Sequence, residues 1–126
     1  MTTAWWSRTE AGPWFEVSGH QLRLLRDGRE AFPAMLAAIA AAKREVLLEM
    51  YWIGTDPVGT RFREALVERA RAGVTVRVIY DAVGSLTMTP AFWEPLLRAG
   101  GDFRDYHALS PLRPTFDLKG IEQRNH

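Results

Sequence analysis

The chain has 126 residues with sixteen basic and fifteen acidic side chains, so its net charge of +1 gives no broad field that argues for nucleic acid or an anionic surface. It contains no cysteine, which excludes disulfides, thiolate zinc sites and a cysteine nucleophile. No run approaches the roughly 20 apolar residues that span a bilayer, and Met1 to Arg8 lacks the basic and then apolar pattern of a signal peptide. The expectation is a cytoplasmic chain, in contact with a membrane only peripherally, at its inner face.

Residues 1–14 read as a lead-in segment crowded with Trp5, Trp6 and Trp14, and residues 15–126 as a domain. Phe15-Glu-Val17 and Gln21-Leu-Arg-Leu-Leu25 are placed to pair as a hairpin across Ser18-Gly-His20. Asp27 and Glu30 stand at N-cap and N3 spacing, a variant capping box. They precede a helix predicted to about Arg44, with Phe32, Met35, Leu36, Ile39 and Ala42 on one face. Glu45 to Ile53 is a nearly continuous apolar run, the pattern of a strand buried on both faces of a parallel sheet. Gly54 to Gly59 supplies turn chemistry, with Asp56 read as a plain turn or helix-start residue.

Phe62, Ala65, Leu66 and Ala70 then recur at helical spacing, and Gly73 stands where a C-cap belongs. Val74 to Asp81 is the next strand, and Ala82 to Ser85 its exit loop. Thr89-Pro90 opens a third helix bearing Phe92, Trp93, Leu96 and Leu97, which Gly100-Gly101 ends. Phe103 to His107 reads as a third parallel strand, Ala108 to Lys119 as a loop, and Gly120 to His126 as the approach to a further strand. The class is α/β, a mainly parallel sheet flanked by helices.

In such sheets ligands bind beyond the carboxyl ends of the strands. Trp52 to Asp56 and Asp81 to Ser85 are therefore the expected rim of a site. Asp81, Gly84 and Ser85 are the candidate binding residues there, shaping a phosphate or headgroup pocket; the plainer reading is a strand-end cap and a turn. Strand periodicity puts Glu49 and Arg77 on one face of their strands. With matched register they are expected to form a buried ion pair, because a lone carboxylate in so apolar a run is costly. His20, in the turn, and His107, at a strand end, are read as surface groups without a role.

Leu47-Leu-Glu-Met-Tyr-Trp52, Asp56-x-x-Gly59, Phe62-x-x-Ala-Leu66, Ala72-Gly-Val-x-Val-Arg-Val78 and Tyr80-Asp-Ala-Val-Gly-Ser85 resemble, in that order, the first half of bacterial cardiolipin synthases of the phospholipase D superfamily. The run from Leu22 to Met35 and the terminal Arg124-Asn-His126 are similar to the same family, so the resemblance covers the chain from about Gly19 onward. The family signature is His-x-Lys-x4-Asp, carried twice. His126 aligns with the first residue of the first copy, and the matching Lys and Asp are absent.

The resemblance implies an incomplete first lobe of a phospholipase D-like fold. It implies phosphatidyl transfer through a phosphohistidine, with His126 the nucleophile candidate and no metal or other cofactor. A phospholipase D or nuclease-type phosphodiesterase of the same superfamily, or a non-catalytic binding or dimerisation remnant, are the alternatives. The partner implied is a phosphatidylglycerol-like phospholipid. The tryptophans suit a peripheral membrane contact, and an unpaired sheet edge suits self-association. As an isolated polypeptide the chain is expected to be inactive.

Overall fold

The computed structural model of the chain describes residues 12–106. Residues 1–11 with Trp5 and Trp6, His107, the expected loop over 108–119 and the segment 120–126 with His126 lie outside the described residues. The chain divides after Ala42 into two compact units.

In the first unit, β1 (Phe15–Val17) and β2 (His20–Leu22) pair antiparallel, with Phe15 opposite Leu22 and Val17 opposite His20. The turn holds only Ser18 and Gly19, both at positive φ (50° and 79°), as a primed two-residue turn requires. His20 thus belongs to β2 and not to the turn. In α1 (Gly28–Ala41) the Arg29 N–H donates to the Asp27 carboxylate at 2.8 Å, which makes Asp27 the N-cap. Glu30 does not reach back to the N-cap N–H as a capping box would. It accepts instead from the Arg26 N–H at 3.0 Å and from the Arg26 guanidinium. The Arg29 side chain and backbone hold the Asp27 carboxyl below its ordinary range, and Arg26 does the same for Glu30. The helix stops at Ala41 because Ala42 turns to extended backbone.

In the second unit, β3 (Glu45–Met50), β4 (Thr75–Asp81) and β5 (Asp102–Tyr106) form a parallel sheet in that order. The helices α2 (Pro57–Arg71) and α3 (Pro90–Arg98) are its crossovers. Both helices end in the same way. Gly73 (φ 85°) donates to Ala70 O and Val74 to Arg69 O; Gly100 (φ 92°) donates to Leu97 O and Gly101 to Leu96 O. Each pair is a Schellman motif, which places glycine where a side chain would strain the backbone.

The helices bury Phe62, Leu66, Val67, Ala70, Phe92, Trp93 and Leu96 against Val76, Val78 and Tyr80 of β4. Trp93 is the centre of this layer, with none of its surface exposed. Its ring lies 6.1 Å from Tyr80 and 6.0 Å from Phe103, nearly parallel to both, and 5.1 Å edge-on from Phe92. One helix thereby binds two strands through aromatic faces, at separations where such pairs attract. Burial, and then the negative charge of Asp105, hold the Tyr80 phenol above its ordinary pKa.

The other face of the sheet corrects two expectations. In β3 the residues Glu45, Leu47 and Glu49 alternate outward and are exposed, as are Thr75, Arg77 and Ile79 of β4. The apolar run therefore marks a strand covered on one face by the described residues, with Leu47 exposed at 64%. Glu49 and Arg77 do share a face, but the register sets Glu49 beside Ile79 and Leu47 beside Arg77. The two charges are offset by two residues on a solvated surface, no desolvation forces them together, and no ion pair joins them. An open groove of about 330 Å³ runs over this face between Leu47, Glu49, Arg77, Ile79 and Arg104.

Two stability measurements check this account. Glu49→Ala and Arg77→Ala, at exposed and unpaired positions, are each expected to change unfolding free energy by less than about 0.5 kcal/mol. Gly59 sits in the first turn of α2, where a Cβ would collide with the Gly54 carbonyl oxygen. Gly59→Ala is therefore expected to destabilise by about 1–3 kcal/mol, although alanine in an unhindered helix would gain about 0.5–1 kcal/mol. Urea midpoints of the three variants decide both points.

Candidate functional site at the carboxyl edge of the sheet

The parallel register brings the carboxyl ends of β3, β4 and β5 to one edge, with Met50 level with Tyr80 and Asp81 with Tyr106. β3 ends at Met50 and not at Ile53, so Tyr51 and Trp52 leave the sheet and stand exposed at 65% and 58%. Ile53 turns back into the core at 5%. Asp56 follows as the N-cap of α2, accepting the Gly59 N–H at 2.8 Å. This is the plain helix-start role expected of it.

Asp81 closes β4 and is buried. Its Oδ1 accepts from the N–H groups of Val83 (2.8 Å) and Gly84 (3.1 Å), and its carbonyl from the Ser85 N–H (3.0 Å). The carboxylate thus folds its own exit loop, as an aspartate at a turn does. Gly84 then passes so close to β3 that a Cβ would collide with the Tyr51 carbonyl oxygen. Only glycine permits that approach.

Ser85 completes the loop. Its hydroxyl accepts from the Ile53 N–H at 3.1 Å and donates to Tyr51 O at 3.4 Å, with the residue 3% exposed. Two backbone groups left unpaired by the end of β3 are satisfied by one side chain from β4's loop. The structure brings Asp81, Gly84 and Ser85 together at the carboxyl edge of the sheet. Asp81 and Ser85 bind backbone groups of the exit loop and of the β3 end, which sets the shape of the rim from beneath.

Sequence reasoning missed this clip between Ser85 and the β3 exit, thirty-odd residues away in the chain. The available signal was that three residues beyond an apolar strand still needed backbone partners. The groove on the open sheet face lies away from this edge. Among the described residues no group of three acidic or histidine side chains gathers in a metal-binding arrangement, and no helix is long and apolar enough to cross a membrane.

No protein-family model matches the chain, and no solved structure matches it significantly. Curated relatives do. The chain is 34% identical over 104 residues to cardiolipin synthase 1 of Bacillus cereus, covering 82% of this chain and 20% of that protein. It is 38% identical over 103 residues to the major cardiolipin synthase of Bacillus subtilis, covering 82% and 21%. It is 34% identical over 110 residues to cardiolipin synthase A of Pseudomonas putida, covering 87% and 22%. The chain thus spans about a fifth of the length of the curated relatives it matches. A match of 104 residues in a chain of 126 must run through residues 23–104, and so through both segments of the rim. With that match the chain belongs to the cardiolipin synthase-like group of the phospholipase D superfamily.

Proposed function

We propose that the chain contributes one wall of the site of a phosphatidyltransferase of cardiolipin synthase type, acting on a phosphatidylglycerol-like phospholipid. The observation that carries this reading is the match to cardiolipin synthases, which runs through both rim segments. The geometry supports it: the Asp81 loop and the β3 exit are locked together at the edge where parallel sheets place ligands.

In this reading His126 is the nucleophile. A neutral imidazole nitrogen attacks phosphorus, a P–N bond forms, and the P–O bond to the first alcohol breaks. A second histidine, from the other copy of the motif, protonates the departing alkoxide. The acceptor alcohol then gives up its proton to that histidine, attacks the phosphohistidine, and releases the imidazole. Lysines of the motifs hold the phosphate oxygens, and aspartates orient the histidines. Asp81, Gly84 and Ser85 position the wall and take no proton.

The test uses the whole protein that carries this chain. Incubated with phosphatidylglycerol, it is expected to form cardiolipin and free glycerol, and His126→Ala is expected to lower the rate by about 10³-fold or more. Phosphatidic acid as the main product would replace transfer with hydrolysis. The 126-residue polypeptide, which supplies the histidine without the motif's lysine and aspartate, is expected to release nothing above background from phosphatidylglycerol or a nitrophenyl phosphodiester. Release that vanishes in His126→Ala would overturn that expectation. Ser85→Ala strips the buried Ile53 N–H of its acceptor and is expected to cost about 1–3 kcal/mol in urea unfolding.

A further inference from the structure

The open face of the parallel sheet carries charges of both signs around apolar groups, in a pattern that complements itself. Two successive levels of the register lie at its middle. Leu47, Arg77 and Asp102 stand side by side on one level, and Glu49, Ile79 and Arg104 on the next. All six line the groove on this face. Leu47 and Ile79 are exposed at 64% and 38%. Glu49 and Arg77 make no ion pair among the described residues, and the Asp102 carboxylate meets Arg104 only loosely, at 3.7 Å. Two acids and two bases give the patch no net charge, so a small ion of either sign would meet repulsion as well as attraction there. A second copy of the same patch presents the same four charges in reversed order.

We propose that this face docks a second copy of the chain, sheet on sheet, about a two-fold axis that lies between the faces and runs across the strands. Such an axis keeps each strand over its own counterpart and reverses its direction, so the two levels exchange. Glu49 of the second copy then lies over Leu47 and beside Arg77, and Arg104 of the second copy lies over Asp102. Each contact occurs twice by symmetry. Four ion pairs thus form between copies from charges that are unpaired or loosely paired within one. Leu47 packs on the stem of the opposite Glu49, and Ile79 on that of the opposite Arg77, which covers the apolar groups as well. Stacked sheets lie about 10 Å apart with their strands aligned to within about 30°, a gap that arginine and glutamate side chains reach across. An axis along the strands would instead set Arg77 against Arg77, a like-charge contact that selects against it. The patch is small beside a standard interface, so the association is weak, with a dissociation constant of about 10⁻⁴ M.

The experiment is sedimentation velocity of the full 126-residue chain at about 10 µM and about 500 µM, in about 0.1 M sodium chloride. Monomer is expected at the lower concentration and dimer at the higher. Glu49→Arg and Arg77→Glu each set like charges against one another twice, and each alone is expected to weaken dimerisation by about tenfold or more. Mixed in equal amounts, the two variants regain both pairs, and the mixture is expected to associate as the parent chain does. A variant that had merely lost its fold would not recover on mixing. An unchanged melting transition at the lower concentration checks folding. Should a reversal unfold the chain, Glu49→Gln replaces it and is expected to weaken dimerisation about threefold. Monomer at both concentrations would overturn the proposal. So would dimers that these substitutions leave intact, the result that main-chain pairing along a strand edge gives, or a mixture that stays monomeric. Association is read without turnover, so its failure leaves the transferase reading standing, and a failure to form cardiolipin leaves the dimer intact.

Discussion

Trp93 is the side chain on which the second unit depends. Among the described residues the parallel sheet has three strands and both its outer edges are unpaired, so its coherence comes from what lies across it. One indole, flat against Tyr80 of β4 and Phe103 of β5 and edge-on to Phe92, ties two strands and a helix through a single residue with no exposed surface. Its N–H has no acceptor among the described residues. A buried donor without a partner costs about 1–3 kcal/mol, which the area of so large a ring offsets. Packing has been favoured over polar satisfaction at this point.

The rim depends on that platform in a specific way. Once β4 is fixed, Asp81 folds the exit loop locally, and the loop delivers Ser85 to the end of β3. Gly84 and Gly59 act as spacers in reverse, since the missing Cβ in each case admits a carbonyl oxygen, Tyr51's or Gly54's. The exposed Tyr51 and Trp52 are therefore held by backbone contacts on both sides while their side chains face outward.

The α/β class, all three helices and all three parallel strands were legible in the sequence, because capping residues and periodicity are local signals. Asp27, Asp56, Gly73 and Gly100 mark their helix ends as their chemistry requires. What escaped depended on distance. The burial of β3 on one face and not two follows from what packs against it, and the run from Glu45 to Ile53 carries no record of that. The Glu49–Arg77 pairing failed on register, which alternation alone does not fix. At the site, the positions of Asp81, Gly84 and Ser85 were readable from the rule of strand ends, but the role of Ser85 as a bridge was not, because its partners lie on another strand.

The Schellman endings of α2 and α3 have a consequence for how such a domain changes over time. They return the chain to the sheet in three residues, 72–74 and 99–101, while the connections that leave the sheet take six and eight, 51–56 and 82–89. Short, sterically committed returns leave little room for an inserted or deleted residue. The longer departures are free to vary in length without moving a strand. Innovation in this architecture is thus channelled to one side of the sheet: new loop lengths are open at the carboxyl edge, while the opposite side keeps the frame in register.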